Sequence, residues 1–296
     1  MSHSLLFKIL RFSGLPWLFR EVLQRRRVTI LLFHDISRET AARTFDYLAA
    51  KYHLLDLQTF LRQRRTNDGH FPPKSLILTF DDGHIRNYEL LSLIRARRIP
   101  VTIFLCAGLV GTKRHFWFRH NRSGHRSSHL RTVSNAQRLR LLQQAGFTQE
   151  TEYDTPQALT KRQIEEMKGH VDLQSHTLFH PSLPRCGLQE VRQEIGHSRE
   201  ILSREYGLQV NAIAYPHGDY SDRDIELCRQ AGYHCGMTVD CGYNTNSTDL
   251  FRLRRLSVND TEDLNELIVK ASGLWEFLKT KLRPQRGFGW TDRVED

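Results

Sequence analysis

The sequence has few cysteines, and the ones it has are poorly spaced for cross-linking or for binding a metal. Its 296 residues include five cysteines, an odd number, and no Cys-x-x-Cys pair occurs. A secreted domain held together by disulfides is therefore not expected, and a thiolate metal site has little support. A hydrophobic content of 39%, with 10% aromatic residues, predicts an ordinary core, so the chain does not have the composition of a disordered protein.

The sequence also lacks a long uninterrupted apolar run. The nearest approach is residues 4–23, which are broken by Lys8, Arg11, Pro16 and Arg20. This stretch is too interrupted to cross a bilayer, and it lacks the small-residue cleavage site of a signal peptide. Two interpretations stay open for residues 1–26: an amphipathic helical segment packed on the domain, or a basic segment lying on a membrane surface. We expect a cytoplasmic protein, with peripheral membrane contact through residues 4–23 as the open alternative.

Acidic residues are fewer than basic ones, which leaves a net charge of +10. This charge is compatible with an anionic partner. No recognition-helix motif, zinc finger or alternating aromatic and basic pattern occurs, so a nucleic-acid partner is not expected. The arginines cluster in short runs that we interpret as solvated surface: Arg25–Arg27, Arg64–Arg65, Arg97–Arg98 and Arg254–Arg255.

Short apolar segments that alternate with helical patterns predict the fold class. The predicted buried strands are residues 28–33, 76–80, 101–105, 171–175 and 210–215. Such alternation is typical of an α/β fold with a parallel sheet, which can close into a barrel. We expect one domain over residues 27–282 and a polar tail over residues 283–296. Residues 111–150 are rich in Arg, His, Ser and Asn, and we interpret them as an insertion beside the functional site.

Polar side chains follow several of the predicted strands. The strand ends concerned carry His34, Asp81 with Asp82, His176 with His180, and the turn Tyr215-Pro216-His217-Gly218. The carboxyl ends of parallel strands are where α/β folds place their chemistry. Spaced four apart, His176 and His180 are expected on one side of a helical turn, which suits a metal ion. A carboxylate together with two histidines would leave the ion an open position for water.

Three of these segments resemble the first three motifs of the polysaccharide deacetylases, the NodB homology family also called carbohydrate esterase family 4. The segments are residues 79–83 (Thr-Phe-Asp-Asp-Gly), 176–180 (His-Thr-Leu-Phe-His) and 214–218 (Ala-Tyr-Pro-His-Gly). The resemblance runs from about residue 28 to residue 258. It implies a deformed (β/α) barrel with a divalent metal, most often zinc, at its mouth.

The resemblance also implies a role for each matching residue. The metal ligands would be Asp82, His176 and His180. Asp81 would be the general base for the attacking water. The substrate-binding residues would be Tyr215, Pro216 and His217, with a backbone N–H near Tyr215 stabilising the oxyanion. The substrate would be an N-acetylated amino sugar in a polysaccharide or a lipid-linked sugar.

Two departures from the family pattern concern the groups around the base and the acid. Many members have an arginine two residues before the proline of the third motif, where this chain has Ala214, so the arginine that orients the base is predicted to be missing. The later motif that supplies an acid histidine is absent too. Both departures resemble the branch of biofilm poly-N-acetylglucosamine deacetylases, whose acid histidine lies near the start of the domain. Residues 32–35 (Leu-Phe-His-Asp) resemble that element, and His34 is therefore predicted to be the general acid.

Three alternative functions remain open on the sequence. The chain could be a pseudo-enzyme of the same fold that binds glycan without cleaving it. It could be a metal amidohydrolase for a small amide that is not a sugar, although Trp117 and Tyr220 favour a larger substrate. It could also be a basic membrane-surface protein without enzymatic activity. Acetate release from N-acetylated sugars would distinguish a deacetylase from all three alternatives.

Overall fold

The structure, a computed structural model, describes residues 2–66, 71–120 and 127–282. Its centre is a parallel sheet. The strands within the described ranges are β1 (Thr29–Phe33), β2 (His53–Leu54), β3 (Ser75–Phe80), β4 (Val101–Leu105), β5 (Asp172–Ser175), β6 (Ala212–Ala214), β7 (Cys235–Met237) and β8 (Leu256–Ser257). Their spatial order is β7-β6-β5-β4-β3-β1-β8, and β2 pairs with the start of β3. Every one of these strand pairings is parallel.

One segment links the two edges of this sheet. Leu253 forms a parallel bridge with Met237 at the end of β7. A few residues later, β8 pairs with Leu31 and Leu32 of β1. The sheet therefore closes through this short stretch into a deformed (β/α) barrel, as the sequence predicts.

The strands are continuous apolar runs because both of their faces are covered. Every residue of β1, β3 and β4 is buried. Ile30, Ile77 and Phe104 belong to a buried cluster of side chains from one face of the strands. Phe33 and Phe80, which stack with ring centroids 5.1 Å apart, belong to the larger cluster between the sheet and the helices. This packing holds the carboxyl ends of the strands at a common edge.

The helices cover the outer face of the barrel. Within the described ranges they are α1 (His3–Phe12), α2 (Leu15–Leu18), α3 (Arg38–Lys51), α4 (Leu57–Arg65), α5 (Leu91–Arg97), α6 (Ser127–Leu130), α7 (Asn135–Gln144), α8 (Lys161–Met167), α9 (Leu188–Arg204), α10 (Asp222–Gln230), α11 (Leu264–Ala271) and α12 (Leu274–Leu282). A five-residue π-helical segment, Phe19–Leu23, continues α2. Across the described residues, none of the helices has both the length and the apolar content needed to cross a bilayer.

The N-terminal segment packs on the C-terminal helices. Phe7 of α1 is fully buried in a cluster with Val269, Leu274 and Trp275. Arg11 donates a hydrogen bond to the Asn265 side chain at 2.9 Å. One face of the segment is thus part of the folded chain. The predicted division into residues 1–26, 27–282 and 283–296 stays a prediction, and the last of these ranges lies outside the described residues.

The predicted insertion over residues 111–150 contains helical turns and a small core of its own. A 3₁₀ turn, Trp117–Arg119, is followed by α6 and α7. Trp117, Leu130, Leu142 and Phe147 form a separate buried cluster. Residues 121–126 fall outside the described residues. The insertion is therefore a packed element that can present side chains to the sheet edge.

Candidate active site

A cavity of about 620 Å³ opens at the carboxyl ends of the strands. Six of the eight residues singled out from the sequence line it: His34, Asp81, Asp82, His176, His180 and His217. They come from four different strand ends, which the closed sheet brings to one place. The other two, Tyr215 and Pro216, are buried and do not line the cavity.

Asp82, His176 and His180 form a compact group of ligand atoms. One nitrogen of each histidine and a carboxylate oxygen of Asp82 all lie within 4.8 Å of one another. Asp82 Oδ1 is 3.5 Å from His176 Nε2 and 3.4 Å from His180 Nε2. Metal bonds of about 2.0–2.1 Å at tetrahedral angles place neighbouring ligand atoms roughly 3.4 Å apart. The observed separations therefore fit one divalent ion.

The environment of these ligands also favours an ion. Asp82 Oδ1 is buried and has no hydrogen-bond partner among the described residues, a costly state for a carboxylate oxygen. Burial raises the pKa of Asp82. Burial, together with the neighbouring imidazoles of His217 and His176, lowers the pKa of His180 well below its usual value. His180 is therefore neutral, which is the form that binds a metal. The Nδ1 of His176 lies 2.8 Å from the Ala214 carbonyl oxygen, so its Nε2 is directed at the group.

The two histidines do not lie on a helical turn, and that expectation from the sequence is wrong. Residues 176–180 form a loop in which Thr177 (φ 65°) and His180 (φ 58°) both have left-handed backbone conformations. The buried carboxylate of Glu194, on α9, accepts hydrogen bonds from the N–H groups of Leu178 and Phe179 at 2.8 Å each. These bonds replace the ones that a helix would have made, and they bring the two rings together at a centroid distance of 4.7 Å.

An arginine does orient the predicted base, contrary to the expectation drawn from Ala214. Arg255 donates two parallel hydrogen bonds to the carboxylate of Asp81, both at 2.8 Å. Its Nε donates to the Thr238 carbonyl oxygen, also at 2.8 Å, which fixes the plane of the guanidinium. Arg255 is 1% exposed, so the interpretation of Arg254–Arg255 as solvated surface is wrong for this residue, while Arg254 is exposed.

The Arg255 guanidinium determines the ionisation of Asp81. Burial alone would raise the pKa of this carboxyl group, but the charge of Arg255 lowers the pKa below its usual value. Asp81 is 3% exposed, and its carboxylate stays ionised at neutral pH. Asp81 and Asp82 are adjacent in sequence yet differ in partner. Asp81 pairs with the Arg255 guanidinium, whereas Asp82 faces the imidazoles of His176 and His180.

His34 lies across the cavity and is held by a second acidic residue that the sequence analysis did not single out. Asp260 accepts a hydrogen bond from the backbone N–H of His34 at 2.7 Å, and its other oxygen lies 3.2 Å from His34 Nδ1. Burial alone would lower the pKa of His34. The hydrogen bond to Asp260 and the charges of Asp82 and Asp81 raise the pKa instead, to about 9. His34 therefore carries a proton at neutral pH.

The third motif supplies two cavity residues, His217 and Gly218, and two buried supports, Tyr215 and Pro216. The Tyr215 hydroxyl donates to the Phe251 carbonyl oxygen at 3.0 Å, and its backbone N–H donates to the Met237 carbonyl oxygen at 3.0 Å. His217 reaches the cavity from a left-handed conformation (φ 60°). Burial and the charge of Arg131 lower the pKa of His217 to about 3. Gly218 is required at the end of this turn, because its φ is +75° and a Cβ there would come within 2.2 Å of Val239.

The insertion contributes one wall of the cavity. Phe118 and Arg131 line it, and Arg131 also donates to Asp219 Oδ2 at 2.9 Å beside the third motif. Trp117 is 3% exposed and donates its indole N–H to the His180 carbonyl oxygen at 2.9 Å. Trp117 therefore supports the loop that carries His176 and His180 and is not a platform for a large substrate.

Sequence reasoning missed Arg255, Asp260 and Glu194. A signal existed for the first two, since they lie on either side of the short segment 256–258, which contains the apolar residues Leu256 and Val258. Glu194 has no such signal, because it lies in the middle of a helix where a carboxylate is ordinarily solvated.

Comparison with known proteins was made for both sequence and fold. Residues 68–236, more than half of the chain, match the family described as polysaccharide deacetylase. The Bacillus subtilis protein YxkH, whose name places it among the polysaccharide deacetylases, is 22% identical over 243 residues, which are 79% of this chain and 72% of that protein. The poly-beta-1,6-N-acetyl-D-glucosamine N-deacetylase of Staphylococcus epidermidis is 22% identical over 227 residues, which are 73% of this chain and 64% of that protein.

Among solved structures, IcaB from Ammonifex degensii superposes with a TM-score of 0.61 at 19% sequence identity. The superposition covers 83% of this chain and 97% of IcaB. At this level of identity the superposition establishes the shared fold.

Proposed function

Because the chain belongs to the polysaccharide deacetylase family, we propose that it removes N-acetyl groups from an amino sugar of a polysaccharide or glycolipid with the help of a divalent metal, most simply zinc. The observation that carries this proposal is the convergence of Asp82, His176 and His180 beside an ionised Asp81 in one cavity. The name of the Staphylococcus epidermidis relative supports an N-acetylglucosamine polymer as the substrate class.

The ligands of the proposed ion are Asp82, His176 and His180. An ion held there supplies Lewis-acid polarisation of the acetamide carbonyl and a lowered pKa for the attacking water. Asp81 is the general base: its carboxylate is ionised at neutral pH and lies 3.9 Å from His176 Nε2, at the edge of the ligand group. Arg255 occupies both carboxylate oxygens, so the base is fixed in orientation before the substrate binds.

His34 is the general acid in this proposal. Expulsion of the sugar amine requires a proton, because an amine anion is a very poor leaving group. His34 lines the cavity and holds a proton at neutral pH through its contact with Asp260. The base and the acid thus differ in charge state before the reaction begins, as acid–base catalysis requires.

The oxyanion donor proposed near Tyr215 is the backbone N–H of His217. The N–H of Tyr215 already donates to Met237, and Pro216 has none. His217 is the next residue of the turn and lies in the cavity wall. Its left-handed conformation is a form of strain that folded chains keep where a precise backbone direction is needed.

Release of acetate from N-acetylated oligosaccharides, measured with the purified chain, tests the proposal. We expect release with zinc or another divalent ion, loss of release with a chelator, and recovery on adding the ion back. The variant His180→Ala should not release acetate, and adding the ion should not restore release. The matched control, His115→Ala in the insertion, should behave like the unaltered chain.

Two results would contradict this proposal in different ways. Metal binding at full stoichiometry without acetate release from any acetylated sugar would favour a glycan-binding pseudo-enzyme. Chelator-sensitive hydrolysis of small acetamides with none of acetylated sugars would favour the amidohydrolase alternative.

A further inference from the structure

Exposed large apolar side chains are concentrated in the N-terminal helices. Eight of the eleven such side chains in the described part of the chain lie between residues 5 and 23: Leu5, Ile9, Phe12, Leu15, Trp17, Leu18, Val22 and Leu23. Phe12 is 70% exposed, and Trp17 and Val22 are each 59% exposed. Single exposed apolar residues are normal on protein surfaces, but a run of eight within 19 residues marks an interaction surface.

Helical spacing gathers these side chains on outward faces. On α1, Leu5, Ile9 and Phe12 are separated by four and three residues, so they share one face, while Phe7 is directed into the domain. Leu15, Leu18 and Val22 repeat the same spacing across α2 and the π-helical segment that follows it. We call these six residues together with Trp17 and Leu23 the N-terminal apolar surface.

Positive charge accompanies this surface. Residues 2–27 contain six basic side chains, Lys8, Arg11, Arg20, Arg25, Arg26 and Arg27, and a single acidic one, Glu21. Glu21 is already paired with Arg20 at 2.8 Å and with Lys74 at 3.1 Å. Lys8 lies on the exposed part of α1, and Arg25 to Arg27 are exposed directly after the helical segment. The surface is therefore apolar with a basic border.

We propose that the N-terminal apolar surface docks this chain on a membrane rich in anionic phospholipid. Apolar side chains with basic neighbours on an in-plane helix are matched to the interface between acyl chains and anionic headgroups. Trp17 is of the residue type that is enriched at this interface. A second copy of the chain is a poorer occupant, because a twofold contact between identical surfaces would bring their uncompensated basic residues together.

The proposed docking surface lies close to the cavity. Phe277 of α12 is 47% exposed and packs edge-on against Phe19, with ring centroids 5.3 Å apart. The residue before it, Glu276, lines the cavity. A single helix therefore borders both features, and docking would bring the cavity near the lipid surface.

Cosedimentation with vesicles, made either of phosphatidylcholine alone or with phosphatidylglycerol added, tests this proposal. We expect strong binding to the anionic vesicles that weakens with added salt, and little binding to phosphatidylcholine alone. The double variant Ile9→Glu/Phe12→Glu should lower the partition coefficient by at least about tenfold, since it replaces two inserted side chains with charges repelled by the lipid. Leu188→Glu is the control, because Leu188 (48% exposed) is close in exposure to Ile9 (52%) but lies on α9. This variant should bind vesicles like the unaltered chain.

A conservative variant makes the test independent of any folding defect in the double variant. Quenching of tryptophan fluorescence by brominated phosphatidylcholine in anionic vesicles should fall markedly in Trp17→Phe. Of the three tryptophans in the described residues, Trp17 is exposed, Trp275 is half-buried and Trp117 is buried. Equal vesicle binding by the double variant and the unaltered chain would overturn the proposal. So would a stable dimer in light scattering that the double variant converts to monomer, because a second copy would then cover the surface. Neither readout depends on deacetylase activity.

Discussion

The cavity and the N-terminal helices place polar and apolar side chains in opposite ways. In the cavity, Asp81 and Arg255 are buried charges that satisfy each other through two hydrogen bonds. On the N-terminal helices, Phe12 and Trp17 are apolar side chains left largely exposed. The first arrangement is compensated within the chain, except at Asp82 Oδ1, His180 Nδ1 and His217 Nε2, which have no hydrogen-bond partner among the described residues. A metal would satisfy the first of these atoms. The second leaves apolar side chains exposed to water, and this exposure is the basis for the membrane partner proposed above.

The sharpest test of the cavity is to remove its base. Asp81→Asn should lower the turnover of acetate release by about 10³–10⁴-fold, near the upper range for lost acid–base catalysis, while zinc stoichiometry stays at one. The melting temperature should fall as well, because Arg255 loses its buried counter-charge. Asp46→Asn, at an exposed position, is the control. A rate within tenfold of the unaltered chain would exclude Asp81 as the base.

Removing the proposed acid should have the next largest effect. His34→Ala should reduce turnover by about 10²–10⁴-fold, because the leaving amine then lacks a positioned proton donor. The loss should be smaller for substrate analogues with a better leaving group, such as an activated acetyl ester. If the variant keeps its activity on both substrates, another group supplies the proton.

Breaking the buried ion pair from its other side should affect both stability and the pH profile. Arg255→Leu should lower the free energy of unfolding by about 3–5 kcal/mol, since an unpaired buried carboxylate remains. Without Arg255, burial raises the pKa of Asp81, so the base becomes protonated at a higher pH and activity should fall earlier on acidification. The neighbouring Arg254→Leu, at an exposed position, should change stability by no more than about 0.5 kcal/mol.

The contact between His34 and Asp260 should set the alkaline limb of activity. The pKa of His34 is raised to about 9, so the acid form is present below that pH and is lost above it. Asp260→Asn removes a raising contribution and should move the alkaline limb to lower pH, with a loss of less than about tenfold at neutral pH. If the alkaline limb of the pH–rate profile does not move in this variant, the limb does not report the ionisation of His34.

The smallest effect on catalysis is expected from the N-terminal helices. Ile9→Glu/Phe12→Glu should leave acetate release from a soluble oligosaccharide within about twofold, since neither side chain lines the cavity and exposed substitutions outside a site rarely alter its geometry. The same variant should lose vesicle binding, as argued above. A large loss of activity on the soluble substrate would show that the two regions are not independent.

Local pattern in the sequence was enough to predict the buried strands, the strand ends that carry Asp81, Asp82 and His34, and the family resemblance. Each of these follows from a short stretch of chain, such as an apolar run that ends in two carboxylates. The alternative of a packed N-terminal segment was also visible, because Phe7 and its neighbours have helical spacing.

The tertiary structure alone decided which distant groups complete the site. Arg255 lies 174 residues from Asp81 in sequence, and Asp260 lies 226 residues from His34. These contacts exist because β8 pairs with β1 and closes the barrel, and no local pattern encodes that pairing. The loop of His176 and His180 follows the same principle, since the carboxylate of Glu194 on α9 replaces the hydrogen bonds of the helical turn that the spacing alone predicts.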